Sequence, residues 1–385
     1  MRRADFSRKA PGTLVRSPLG AWAFVPAPLP PEIPATWEMT GALSQADRAL
    51  SELSGMGRTL PNPHLLIGPF VRREAVLSSR IEGTQSSLSD LVAFEALPGG
   101  NVPRADVREV ANYVRALEYG MTRLKKLPLS LRLLRELHER LMEGVRGGQS
   151  AAGEFRRTQN WIGPAGCRID DATYVPPPPP EMAAALGAME KFMHAPSTLP
   201  ALVRLALLHY QFEAIHPFHD GNGRVGRLLV TLGLCAEGLI SQPLLYLSAY
   251  FERRRSQYYQ LLLGVSQRGD WTAWVRFFLE GVADQAGDAL RRAASLLELR
   301  ETLRRRLPGG RASSSLLRLV DGLFQSPALT AGAVARLLGV SARAAQQNID
   351  KLVRAGILTE TTGRPRNRVF AALEIIRAVE SPLVH

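Results

Sequence analysis

Cysteine is nearly absent: Cys167 and Cys235 are the two present in 385 residues. Two thiols without metal-ligand spacing exclude a disulfide framework and a cysteine-based zinc site, so an apolar core must hold the fold. Long apolar runs are missing as well. The longest, Leu228 to Ile240, contains Glu237 and is too short and too charged to span a bilayer. The apolar stretch Leu19 to Leu29 is broken by Pro26 and Pro28 and has no signal-peptide pattern, so a cytoplasmic location is expected. Aromatics make up 7% of the chain and β-branched runs are few, whereas hydrophobic content is 45%, with Leu and Ala leading, which predicts a mainly α protein. Acidic side chains are in short supply: 35 against 48 Lys and Arg, a net charge of +13 and a pI near 10.4. That excess favours nucleotides or nucleic acid as partners, and it also follows from genomic base bias, so both readings stay open.

What the chain has in concentrated form is His216-Pro-Phe-His-Asp-Gly-Asn-Gly-Arg-Val-Gly-Arg227. Upstream, Leu202, Leu205, Ala206, Leu208 and Phe212 recur at near-helical spacing, and Pro217 keeps His216 out of the α region, so a helix is expected to stop at about Ile215. Downstream, Arg224 to Leu239 is apolar enough for a core helix. Gly221, Asn222 and Gly223 are then the turn that opens it, with backbone N–H groups free to cradle an anion. Arg224 and Arg227, three apart, share a face of the first turn and add guanidinium donors suited to phosphate oxygens. Histidine is largely neutral near pH 7, so His216 is the candidate base, and Asp220 supplies the single carboxylate that a nucleotide-bound Mg2+ accepts. The loop has neither a Gly-x-Ser-x-Gly elbow nor the Gly-x-x-x-x-Gly-Lys of a P-loop, which speaks against acyl transfer and ordinary ATPase chemistry. Two blander readings are a plain glycine-rich helix start, and a metal cluster of His209, His216, His219 and Asp220, whose alignment Pro217 disrupts.

This string resembles the signature of the Fic family, whose best-known members transfer AMP from ATP to a hydroxyl of a target protein. The resemblance implies His216 as base for the target hydroxyl, Asp220 as magnesium ligand and Gly221 to Gly223 as anion hole. It implies an ATP site of Gly221, Asn222, Gly223, Arg224, Gly226 and Arg227, with Arg224 and Arg227 on the β and γ phosphates. The loop does not share the departures of Doc-like phosphotransferases or phosphocholine transferases. Ser78-Ser-Arg-Ile-Glu82-Gly83 resembles the family's inhibitory motif, which implies that Glu82 pairs with Arg227 and excludes the productive ATP pose; read locally, Glu82-Gly83 is an ordinary helix end. Tyr250 to Tyr259 resembles the helix start beside the adenine, which sets Tyr258 or Tyr259 on the purine.

In chain order, residues 1–36 are expected to be an extended N-terminal arm, rich in Pro and Arg. Residues 37–100 form an N-terminal helical region, with elements at Leu43 to Leu53 and Val71 to Leu91 that include the inhibitory helix. Residues 101–285 make the catalytic core, with helices at Arg104 to Tyr119, Leu129 to Met142 and Glu181 to Met193. Pro176 to Pro180 reads as a polyproline II spacer. Phe155 to Ile162 and Arg168 to Val175, joined by Gly163-Pro-Ala-Gly166, predict a small β-hairpin. By resemblance this is the flap that holds a target segment by strand addition, at Gln159, Asn160, Trp161 and Ile162. Residues 286–310 read as a charged helical linker ending at Pro308-Gly-Gly310. Residues 311–385 resemble a winged helix-turn-helix, with helices at Leu316 to Phe324, Ala331 to Leu338 and Ala342 to Ala355. This segment holds ten Lys or Arg against five Asp or Glu, a net +5, with Arg364, Arg366 and Arg368 on the presumed wing.

The expected protein is therefore a self-inhibited adenylyltransferase with ATP, a target protein, DNA through residues 311–385 and a second copy of itself as candidate partners, and no membrane. AMP removal at the same site, and a DNA-binding regulator whose core senses nucleotide, are the two rivals.

Overall fold

The computed structural model describes residues 1–59, 62, 64–97, 105–145, 151–307 and 313–380. The expected boundaries at 100/101 and 310/311, Arg104 and Pro308-Gly-Gly310 lie outside them. The described residues are mainly helical.

The N-terminal 36 residues depart from the expected extended arm. Gly12–Arg16 (β1) and Trp22–Pro26 (β2) pair antiparallel, with Leu14 opposite Phe24. Phe24 is fully buried, and its backbone N–H donates to Val175 O at 2.9 Å, so the hairpin is part of the wall behind the central loop. The prolines suggest a loose segment, but an edge strand tolerates proline at its end, as at Pro26.

Helix α1 (Trp37–Thr59) runs along the longest element, α11 (Trp271–Arg305), which is one uninterrupted helix. Helix α2 (His64–Ile81) and α3 (Leu88–Ala96) replace the single element expected to reach Leu91. Gly83, at φ 101°, breaks the chain between them in a conformation that only glycine adopts readily. Ser87 then caps α3, accepting from Asp90 N–H at 3.1 Å.

The core continues with α4 (Ala105–Arg123), α5 (Leu131–Leu141), α6 (Pro179–His194), α7 (Ala201–Ile215) and α8 (Asn222–Ala236). Helix α6 begins inside the expected polyproline spacer, with Pro179 in its first turn, where the missing N–H costs nothing. Helices α7 and α8 pack on each other and are apolar nearly all round, as buried helices must be. Helices α9 (Ser248–Arg253) and α10 (Arg255–Arg268) close the site side, and Trp274 locks α11 to α7 by donating Nε1–H to Ala206 O at 2.9 Å.

The two strands expected over Phe155–Ile162 and Arg168–Val175 shrink to one antiparallel bridge, Ile162 with Tyr174, and Ile169–Asp171 is a single 3-10 turn. Side chains account for the difference. Arg156, Gln159 and Asn160 turn inward to hold neighbouring loops, so this backbone is tied by side-chain bonds rather than by a strand ladder.

At the C-terminal end, α12 (Ser314–Gln325), α13 (Ala331–Leu338) and α14 (Ala342–Arg354) precede a sheet of two-residue strands. Ala328–Leu329 (β3), Thr359–Glu360 (β4) and Phe370–Ala371 (β5) are ordered β3-β5-β4, followed by α15 (Leu373–Glu380). This unit packs on α2: a Cβ at Gly68 would lie 2.9 Å from Gln325 O. Arg292 donates to Val379 O at 3.0 Å and pairs with Asp288 at 2.8 Å, and Asp288 reaches Arg73 of α2 at 3.3 Å.

Candidate active site

His216 ends α7 in the left-handed region, φ 49°, ψ 60°. A non-glycine residue there is uncommon and needs its surroundings to impose it. Arg156 supplies them. Its guanidinium, 2% exposed, donates to His216 O at 2.9 Å, to Thr158 O at 3.1 Å and to Pro177 O, while its backbone N–H donates to Pro217 O at 2.9 Å. Tyr174 Oη–H adds a bond to Ala214 O at 2.8 Å. The peptide on each side of His216 is therefore pinned, while the imidazole Nδ1 has no hydrogen-bond partner among the described residues. Burial and then the Arg156 charge push the imidazole pKa down to about 4, so it stays neutral and proton-accepting at physiological pH.

Gly221 opens α8 at φ 76°, and Asn222 closes the loop on itself, accepting from Phe218 N–H and donating to Phe218 O, both at 2.8 Å. His138 of α5 supports the turn from below. Its Nδ1 accepts from Gly153 N–H at 2.9 Å, its Nε2–H donates to Asp220 O at 3.1 Å, and its ring stacks on Phe218 at 3.8 Å. Asp220 points outward, with its side chain 61% exposed. One oxygen accepts from Gly221 N–H at 2.6 Å and lies 3.5 Å from Arg224. A single exposed carboxylate fits the Mg2+ expectation, since that ion keeps most of its waters.

The two arginines differ sharply. Arg224 Nη1 donates to Glu109 of α4 at 2.9 Å. Arg227 is held from α2: Nε–H donates to Ser78 Oγ at 2.7 Å, and Nη2–H to Ser78 O at 3.0 Å and to Glu82 Oε1 at 2.6 Å. Burial, the largest single influence, pushes the Glu82 carboxyl up, but the charge and hydrogen bond of Arg227 together with the Arg224 charge outweigh it, so Glu82 ends below the usual carboxylate range. Gly223 makes the approach possible, because a Cβ there would collide with the Glu82 carboxylate.

The structure thus brings His216, Asp220, Gly221, Asn222, Gly223, Arg224, Gly226, Arg227, Ser78 and Glu82 to one cleft, with Gly83 as the break behind Glu82. Tyr258 is corrected. It is 1% exposed in a cluster with Phe251 and Trp274, its hydroxyl is bonded to His209 Nε2 at 2.8 Å, and no face is left for a purine. Tyr259, 40% exposed, is the available ring. His209 of the metal alternative has both nitrogens engaged, the other with Gly226 O at 3.0 Å. In the flap region Trp161 and Ile162 are each 38% exposed, while Gln159 donates to Pro176 O and Asn160 to Phe218 O. Sequence reasoning missed Arg156, His138 and Glu109, which carry no local signal because packing alone brings them to the loop.

Residues 40–122 match the model described as Fic/DOC family N-terminal, and residues 128–234 match the model described as Fic/DOC family. Protein adenylyltransferase Fic of Drosophila grimshawi is 32% identical over 175 residues, which are 45% of this chain and 32% of that protein. The Drosophila erecta protein of the same name is 31% identical over the same length. The chain thus spans about a third of the length of the curated relatives it matches. A crystal structure of a Fic family protein from Desulfovibrio desulfuricans superposes with a TM-score of 0.58 at 20% identity, covering 89% of this chain and 98% of that one. That likeness extends the shared fold beyond the matched models. With the loop, the α2 contact and both matches in agreement, the chain belongs to the Fic family.

Proposed function

We propose that this chain is a protein adenylyltransferase that moves AMP from ATP to a Tyr, Thr or Ser hydroxyl of a target protein and that holds itself inactive through Glu82. The observation that carries the proposal is the Glu82 carboxylate seated on Arg227 at 2.6 Å, at the N-terminal turn that should receive a polyphosphate. The names of the relatives support the reaction class.

In this reading His216 takes the proton of the target hydroxyl as that oxygen attacks the α phosphate. The backbone N–H groups of Gly221 to Gly223 and the guanidinium of Arg224 stabilise the charge that develops there. Asp220 would hold Mg2+, which when bound neutralises the leaving pyrophosphate. The exposed edge at Trp161 and Ile162 is the place for the target backbone. Arg227 can serve the γ phosphate only after Glu82 lets go. Residues 311–385 would act as a winged helix binding duplex DNA, a role supported by exposed Arg343, Lys351, Arg354, Arg364 and Arg366.

Glu82→Gly is the test. A charge-assisted hydrogen bond contributes about 1.5–3 kcal/mol, so labelled ATP should show adenylylation or self-modification rising roughly tenfold to a hundredfold. Arg227→Ala in that background should remove the gain. An unchanged rate in folded Glu82→Gly protein overturns the gating. Release of AMP from a pre-modified target by the wild type, without transfer, would instead support removal as the activity.

A further inference from the structure

Glu213 is a second carboxylate in the same cleft, and the mechanism above does not use it. It lies on α7, three residues before His216, and its Oε1 is buried with no hydrogen-bond partner among the described residues. Gly226 leaves it room just as Gly223 does for Glu82, since a Cβ on Gly226 would collide with Glu213 Oε1. The two glycines are three apart, on one face at the start of α8, and each admits one acidic side chain, Glu82 from the turn after α2 and Glu213 from α7. Neighbouring polar groups are already committed: His209 bonds Gly226 O and Tyr258, and Ser78 is taken by Arg227. Arg227 Nη1, in contrast, is buried without a partner among the described residues. An unpaired carboxylate and an unpaired guanidinium N–H beside a phosphate-binding turn both call for a ligand atom.

We propose that Glu213 is a nucleotide-binding residue that acts as a neutral carboxylic acid, donating its proton in a hydrogen bond to a phosphate oxygen of ATP once Glu82 has left Arg227. The proposal rests on the reading of the cleft as a nucleotide site. The charged and titratable neighbours are His209 on α7 and His216 at its C-terminal cap, Arg227 on α8, Glu82 just past the end of α2, and Tyr258 and Tyr259 on α10. Burial pushes the Glu213 carboxyl up to about 8, with Arg227 lowering it and Glu82 raising it. When Glu82 leaves, a polyphosphate takes over the role of neighbouring anion, so the proton is held harder in the bound state than in the free one. Binding that favours the protonated form is therefore at full strength below the free pKa and is lost as pH rises through the bound one.

The experiment measures equilibrium binding of Mg-ATP to the full-length Glu82→Gly protein between pH 6.5 and 9.5, alone and combined with Glu213→Gln or Glu213→Ala. A one-unit difference between free and bound pKa corresponds to about a tenfold loss of affinity across that range. The Glu213→Gln protein keeps an N–H donor and should hold its affinity to the alkaline end, whereas the Glu213→Ala protein should bind weakly at every pH. The ionisation of the nucleotide itself is common to all three proteins and cancels in the comparison. Thermal melting checks that each variant is folded. Parallel pH profiles with and without Glu213→Gln, or full affinity in the Glu213→Ala protein, would overturn the role of Glu213. No ATP binding by any of the proteins would overturn the nucleotide reading instead.

Discussion

The cleft and the C-terminal unit solve the problem of buried polar groups in opposite ways. In the unit of α12 to α15, the helix starts close locally: Ser313, Thr330 and Ser341 each accept from an N–H three residues on, at 3.4, 3.3 and 3.2 Å. Its arginines on α14 and the loop between β4 and β5 face solvent. In the cleft, His216 Nδ1, Glu213 Oε1, Arg224 Nε and Arg227 Nη1 are all buried without a partner among the described residues. Orphaned groups of this kind cost about 1–3 kcal/mol each, and although others, such as Ser17 Oγ and Arg204 Nε, are scattered through the fold, four of them meet in this one cleft. The contrast sets a surface lined with exposed arginines against a cleft that gathers preorganised, unsatisfied donors and acceptors.

The sharpest way to break this contrast is His216→Ala. In the Glu82→Gly background the transfer rate should fall by about 10²–10⁴, the usual worth of a positioned general base, while ATP still binds to the untouched turn. Transfer assays with isothermal titration decide it, and a near-parental rate would remove His216 from the chemistry. A smaller effect is expected at Arg156, which touches only backbone. Arg156→Met frees the peptides around His216 to leave the left-handed conformation, and a displacement of about 1 Å costs roughly a hundredfold in rate. The KM for ATP should stay nearly constant, because the anion turn lies on the other side of Phe218. If kcat is preserved, the strained backbone at His216 is held by something other than Arg156.

These residues also show what can and cannot be read in a sequence. The loop from His216 to Arg227 is legible because its meaning is local: a proline that stops one helix, glycines that open the next, arginines spaced to share a turn. The contact between Glu82 and Arg227, 145 residues apart, is legible through family resemblance and not through spacing. Arg156 and His138 are invisible, since they serve backbone carbonyls and amides brought near only by packing. Tyr258 and Tyr259 are adjacent and look alike in sequence, yet the helix phase buries one and exposes the other. The N-terminal hairpin escapes detection because its prolines mask the strand. The flap strands come out shorter than expected because alternation cannot show that Arg156, Gln159 and Asn160 turn inward.

On the charged side of the contrast, duplex DNA binding should weaken steeply with salt. Arg364→Ala combined with Arg366→Ala should lower the slope of log K against log salt by about 2, one for each phosphate no longer neutralised. Fluorescence anisotropy with a labelled duplex measures it. An unchanged slope moves the DNA away from these arginines, and no binding at low salt removes DNA from the partners of this unit.

The smallest effect tests whether the C-terminal unit is as locally determined as its caps suggest. Ser341 accepts from Ala344 N–H at the start of α14, with φ −64° and ψ 157° typical of a capping residue. Ser341→Ala removes one acceptor from one helix start and should cost about 1 kcal/mol. Because α12 and α15 pack on α2 whereas α14 packs on α13, that loss should be confined to α14 and its neighbours. Hydrogen exchange should show protection falling by about fivefold in α13 and α14, with α2 and the clamp on Arg227 unchanged. Adenylylation by the Ser341→Ala chain, with Glu82 intact, should then remain as low as in the wild type. A rise in activity on Ser341→Ala would mean that the stability of this unit is transmitted through α12, Gly68 and α2 to Glu82, and the two regions could no longer be treated as separate solutions.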